Sequence, residues 1–127
     1  MRRVVADSAL ILGWFTGASG PARALRAEYE RGALAIVAPR TLPLEILDVA
    51  ARRMGWPADR LAHLATELGH LGFELRDPPV AELAAWLAEG LGGPDASYAA
   101  LASALNIPLL TVDEELLRKA VTVAQHP

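Results

Sequence analysis

The sequence predicts an α/β sandwich of three layers, with helices on both faces of a mostly parallel central sheet. Three observations carry that prediction. Short apolar and β-branched runs alternate with segments of helical period, as at Arg3 to Ala6 and Ala33 to Ala38. No repeat, low-complexity tract or linker interrupts the alternation, so residues 1–127 read as one domain joined by right-handed crossovers. The stretch from Gly93 to Glu115 reads as a helix, a break, a short strand and a new helix start. An 11-residue helix is about 16 Å long, and five strand residues cover about 16 Å in return. Asp95 and Asp113 are thereby brought to the same edge of the sheet.

In chain order, Arg3 to Ala6 suits a central parallel strand, and Asp7-Ser8 opens a helical stretch from Ala9 to Phe15. Thr16 to Pro21 is a Gly-rich loop that matches neither a dinucleotide nor a P-loop fingerprint. Ala22, Leu25, Tyr29 and Gly32 line one side of a second helix, and Ala33 to Ala38 is the next buried strand. Thr41 can cap a third helix reaching Met54, with Leu42, Ile46, Val49 and Ala50 as its apolar stripe and Glu45 on the flank. Gly55-Trp-Pro57 breaks it, and Leu61, Leu64, Leu68 and Leu71 mark a fourth helix. Phe73 to Leu75 is a short strand, and Asp77-Pro-Pro79 punctuates the chain before a fifth helix on Val80, Leu83 and Leu87. In the Gly93 to Glu115 stretch Pro94 suits a first helical turn, and Tyr98, Leu101, Ala102 and Leu105 form its apolar face. Asn106 and Pro108 stop that helix, Ile107 to Val112 is a buried strand, and Asp113-Glu-Glu favours a helix start. Ala120 to Val123 completes the set as a last strand before a frayed end.

The chain is long enough to bury a sizeable core and too short for two. A net charge of −3 supplies no global basic field, so contact with nucleic acid must use a local patch. All but one of the basic residues are arginine, which forks onto phosphate better than lysine does, although a biased genome produces the same skew. The lack of cysteine excludes disulfides, thiolate zinc sites and cysteine nucleophiles. Two arginines precede an apolar run at the start, but Asp7 interrupts it and no small-residue cleavage site follows. No apolar stretch approaches a membrane span, so a cytoplasmic protein is expected.

Four acids map, by separate counts, to the carboxyl edge of the sheet, where open parallel sheets bind their ligands. Asp7 follows the first strand, Glu45 lies a turn inside the helix after the second, Asp95 opens the helix before a later strand, and Asp113 ends that strand. A plainer reading competes. Asp7, Asp95 and Asp113 each stand where an acid caps or favours a helix start, but Glu45 has no such duty. Carboxylates without His or Cys suit hard divalent cations such as Mg²⁺ or Mn²⁺, and such ions activate water and stabilise the leaving oxygen of a phosphodiester.

The segments VVADSALI, APRTLPLEIL and PDASYAALASALNIPLLTVDEELLRKA together resemble a PIN domain, most of all the compact kind typified by the toxins of VapBC toxin–antitoxin pairs. The resemblance spans essentially the whole chain, and the last segment is its most specific part. It implies a PIN-like fold and a metal-dependent ribonuclease whose acidic quartet is Asp7, Glu45, Asp95 and Asp113. By that resemblance Asp7, Asp95 and Asp113 hold Mg²⁺ or Mn²⁺ directly or through water, while Glu45 completes a site or orients the attacking water. Ser8 and Thr111 would support them by hydrogen bonds, a plain capping or turn role being the alternative for both. Two departures stand out: Asp48, where many relatives carry Asn, and Pro94, where an aromatic is common. Neither removes a ligand.

The resemblance also implies partners: RNA as substrate, a small antitoxin protein, and a second copy of the chain in a homodimer. Leu44 and Leu47, off the main apolar face of the third helix, and the leucine row from Leu61 to Leu71 put the expected dimer interface on the third and fourth helices. A housekeeping RNA-processing nuclease and a silent PIN scaffold that binds RNA or protein are the alternatives. A phosphoacceptor receiver domain also gathers acids at a sheet edge, but it needs an acidic pair after its first strand and a Lys near its last. This chain has a single Asp7, and its Lys119 comes too late.

Other residues point to less. His63 and His70 are too far apart on one helix to share a metal, with no acid partner evident, and His126 lies in the tail. Ser8, Ser19, Ser97 and Ser103 have no His-Asp companions. Arg40, Arg52 and Arg53 surround the Glu45 helix and suit either RNA phosphates or ion pairs. Trp14, Trp56 and Trp86 are expected in the core or at a dimer contact.

Overall fold

The chain begins with β1 (Arg2–Ala6), α1 (Ser8–Thr16) and α2 (Gly20–Glu30), in a computed structural model that describes residues 1–17 and 20–127. Next come β2 (Leu34–Pro39), α3 (Leu42–Arg52), α4 (Ala58–His70) and β3 (Glu74–Arg76). The chain continues through α5 (Val80–Ala88), α6 (Gly93–Leu105), β4 (Leu109–Leu110), α7 (Glu114–Lys119) and β5 (Ala124–Gln125).

The strands form one sheet in the order β3-β2-β1-β4-β5, and every pairing is parallel. The order explains the composition. β1 is central, with neighbours on both sides, and its Val4, Val5 and Ala6 are wholly buried. The chain first moves outward from β1 through β2 to β3, then returns to lay β4 on the other side of β1. Right-handed crossovers in opposite directions put the intervening helices on opposite faces. The helices pack accordingly: α1 meets α2 and α3, α3 meets α4, and α5 meets α6. The strand order therefore reverses between β1 and β4, which is where such sheets bind their ligands.

Buried Leu10, Ile11, Leu25, Ile36, Ile46 and Leu64 join Tyr98, Leu101, Leu109 and Leu116 in one contiguous apolar cluster. Trp14 lies within it, 5% exposed and stacked among Tyr29 and Phe73 with ring centroids 5.6 and 5.7 Å away. Asn106 ends α6 in the left-handed conformation at φ 55°, which Asn tolerates better than most residues, and this turns the chain into β4.

Some expectations need correction. The last strand lies at Ala124–Gln125, not Ala120 to Val123, because Ala120 closes α7 by donating its N–H to Leu116 and then anchors a turn by accepting from Val123 and Ala124. The third strand begins one residue later than expected and has no wholly buried residue. Between α1 and α2 the expected loop is short, since helix runs through Thr16 and resumes at Gly20. Ala18 and Ser19 of that loop lie outside the described residues. On α5 Val80 and Leu87 are exposed, so only part of its apolar face packs inward. No helix among the described residues is long and apolar enough to cross a membrane.

Candidate active site

Asp7 is the most buried of the acids, at 5% exposure, and it follows β1 directly. It is the N-cap of α1: one oxygen accepts from the Leu10 backbone N–H at 3.0 Å, and the other accepts from the Thr111 hydroxyl. Thr111 is wholly buried just past β4, and its own oxygen accepts from the Asp113 N–H at 3.0 Å. Asp113 in turn caps α7 by accepting from Leu116 N–H at 2.9 Å. A single chain of bonds thus ties the ends of the two strands that flank the reversal point.

Glu45 comes from α3, where Ile46 beside it is wholly buried and anchors the helix. Half-buried, it accepts from Thr41 Oγ1 at 3.1 Å on one oxygen and from Tyr98 Oη at 2.9 Å on the other. The Ser8 hydroxyl lies against both Glu45 and Tyr98. Thr41 was expected to cap α3, but it makes no side-chain cap bond and serves Glu45 instead. Asp95 sits in the first turn of α6, half-buried, where Gly92 holds the N-cap position. Among the described residues its carboxylate accepts no hydrogen bond and closes no ion pair.

Three of the four carboxyls, those of Asp7, Glu45 and Asp95, are raised above their ordinary range. Burial pushes the Asp7 carboxyl above its ordinary range, and the charges of Asp95 and Asp113 push it further, against the lowering bonds from Thr111 and Leu10. Burial likewise raises Glu45, with Asp95 adding to the rise. For Asp95 burial acts first, followed by the charges of Asp113 and Glu115, while Lys119 opposes them. Burial first, then the neighbouring Glu45 charge, holds the Tyr98 phenol well above its usual value, so it stands as a donor.

The plainer reading holds in part for each acid it covered, since Asp95 stands in the first turn of α6, where a carboxylate favours a helix start, and Glu45 also lies in the first turn of α3. Asp7 and Asp113 do cap helices, whereas Asp95 and Glu45 cap none. Carboxylate oxygens with one supporting hydroxyl are the donor chemistry of a hard divalent cation. As the side chains stand, no three Asp, Glu, His or Cys among the described residues are close enough to hold one ion. The set fits such an ion in chemical kind, and Asp7, Asp95 and Asp113 lie within reach of one another's charge. A cavity of about 520 Å³ opens at the amino ends of β1 and β2, lined by Met1, Trp14, Tyr29 and His70 among others, and includes none of the quartet. Charge convergence at the reversal point is the better guide to chemistry, because open parallel sheets bind their ligands at that edge.

Elsewhere, His63 does have an acid partner, Glu67, at 2.6 Å one turn on. Arg40 and Arg52 pair with Asp77 and Asp48 across exposed surface, at 3.4 and 2.5 Å. Arg60 stacks 3.7 Å above the Trp56 ring. Tyr98 and Thr41 are the site residues that sequence reasoning missed. The missed signal was spacing, since Tyr98 lies one turn after Asp95 and Thr41 one turn before Glu45.

A doubly wound parallel sheet with acids gathered at its reversal point defines a class of α/β proteins that bind their ligands at that edge. Residues 4–121 match the PIN domain family, and the chain belongs to that family. PIN domains are in general nucleases that use divalent metal ions. Among solved structures, the crystal structure of PAE2754 from Pyrobaculum aerophilum is similar over 94% of this chain and 86% of its own, with a TM-score of 0.65 and 26% identity. No curated protein matches the chain.

Proposed function

We propose that this chain is a metal-dependent ribonuclease acting as the cytoplasmic toxin of a type II toxin–antitoxin pair, held in check by a small antitoxin protein and working as a homodimer. The observation that carries the nuclease reading is the contrast among the acids. Asp7, Glu45 and Asp113 are each fixed by hydrogen bonds, while Asp95 faces them with no partner of its own among the described residues. An arrangement of caps alone has no use for an unheld, half-buried carboxylate beside two others. The resemblance to compact PIN toxins supports the toxin role.

In this reading Asp7, Asp95 and Asp113 hold Mg²⁺ or Mn²⁺, and Thr111 and Ser8 support their neighbours. The bound ion supplies an activated water and stabilisation of the leaving oxygen. The protein's part is orientation. Thr111 fixes the Asp7 carboxylate, α6 carries Asp95 on a wholly buried alanine face, and Glu45 stands by to orient water or complete the site.

RNA cleavage is the test. Cleavage in Mg²⁺ or Mn²⁺, its loss in EDTA, and a far larger loss for Asp95→Asn than for His63→Ala are the expected results. Full activity without metal refutes the reading. Growth arrest on induction of the wild type, relieved by Asp95→Asn, tests the toxin role.

A further inference from the structure

Glu45 is held at both oxygens, but by donors of different standing. Thr41 is an exposed neighbour on the adjoining turn. Tyr98 reaches Glu45 from 53 residues away, is 1% exposed, and stands one turn beyond Asp95 on α6. Residues at that spacing share a helix face. The same helix thus carries Asp95 and the hydroxyl that holds Glu45.

The surroundings leave this hydroxyl little freedom. Ala96, Ala99, Ala100 and Ala102 are all wholly buried, so α6 cannot slide without opening voids. The Ser8 hydroxyl, next in sequence to Asp7, lies against Tyr98 and Glu45 together. Glu45 ends a flexible side chain and is repelled by Asp95. Left with Thr41 and Ser8 alone, it would be freer to swing away from that charge.

We propose that Tyr98 is the positioning residue of the site, fixing the Glu45 carboxylate against Asp95 before an ion binds and thereby setting the affinity for that ion. The inference rests on the nuclease reading above. Tyr98 touches neither substrate nor metal in this scheme; it acts through Glu45.

Tyr98→Phe keeps the ring and removes only the hydroxyl. Titration calorimetry with Mn²⁺ on wild type, Tyr98→Phe, Glu45→Gln and the double variant tests the inference, beside kcat and KM on RNA and melts in EDTA. Tyr98→Phe should melt cooperatively, bind Mn²⁺ about tenfold more weakly or worse, and lose kcat while keeping KM. In the Glu45→Gln background it should change Mn²⁺ affinity no further. Wild-type affinity and kcat in Tyr98→Phe overturn the inference, as does an equal loss with and without Glu45. A wild type that neither binds Mn²⁺ nor cleaves RNA overturns the nuclease reading, and this inference with it. Should Tyr98→Phe not fold, the near-ultraviolet spectrum of Glu45→Gln decides: a tyrosine band shifted from wild type supports the contact, and an unchanged one overturns it.

Discussion

The Thr111 hydroxyl donates to Asp7 although 104 residues separate them in the chain. Both are buried, and the same hydroxyl oxygen accepts from the Asp113 backbone. One small side chain therefore orients two of the four acids, using its proton for one and its lone pair for the other. Valine has the same shape and neither capability.

Thr111→Val should accordingly cost about 1–3 kcal/mol, the usual penalty for leaving buried polar groups without partners. Urea unfolding in EDTA at neutral pH measures it. A loss below about 0.5 kcal/mol, the scale of an ordinary surface change, would show that the bond does not order Asp7.

Stability of the metal-free protein should rise as pH falls from neutral toward the acid range. Asp7, Glu45 and Asp95 all have carboxyls raised in the folded state, chiefly by burial. The folded state then binds protons more tightly than the unfolded chain, so its stability falls as pH climbs through the raised values. The gain on acidification is complete only below the ordinary carboxylate range. Glu74, lowered first by its bond from Arg76, pulls the other way, but its pairs are exposed and contribute little. Melts in EDTA across this window, showing a steady loss toward acid instead, would contradict the arrangement.

Asp95→Asn should leave metal-free stability unchanged or slightly raised, because it removes a charge that Asp7 and Glu45 both feel. It should also blunt the stabilisation by Mn²⁺, which for the wild type reaches about 2.7 kcal/mol at a hundredfold excess over Kd. Thermal melts with EDTA and with Mn²⁺ read both effects. A destabilised variant together with a wild type indifferent to Mn²⁺ would reduce the four acids to separate structural roles.

The homodimer expected on α3 and α4 has a visible handle in Leu44, which is 69% exposed on α3, whereas Leu47 beside it packs on the core. Leu44→Arg should convert a dimer to a monomer in light scattering at roughly tens of micromolar, where an interface of modest size is populated. A wild type already monomeric there would end the expectation.

Much of this was legible in the sequence because burial on both faces leaves an unmistakable apolar run, as at Val4 to Ala6 and Leu109-Leu110. Strand β3 was harder, since its Glu74 and Arg76 are exposed and carry ion pairs of the sheet edge. The misplaced last strand reflects Ala120, an apolar residue spent on closing a helix and not on a sheet. Within the site, Asp7 could be placed from the strand it follows, whereas the strand expected over Ile107 to Val112 covers only Leu109–Leu110, so the lengths counted toward Asp95 and Asp113 were not those of the structure. The donors could not be placed, because Tyr98 reads equally well as core, and only the meeting of α3 with α6 gives its hydroxyl an acceptor.

The strand order also dictates a sequence of events in time. β1, β2 and β3 can pair as they emerge during synthesis, each new strand adding to the outer side of the last. β1 must wait for its other neighbour until Leu109 and Leu110 have been made. A nascent chain thus carries Asp7 and Glu45 well before it has Thr111 to hold the first of them. Long-range pairing of this kind is slow to form, so closure of the acidic edge should follow the more local pairing of β1 with β2.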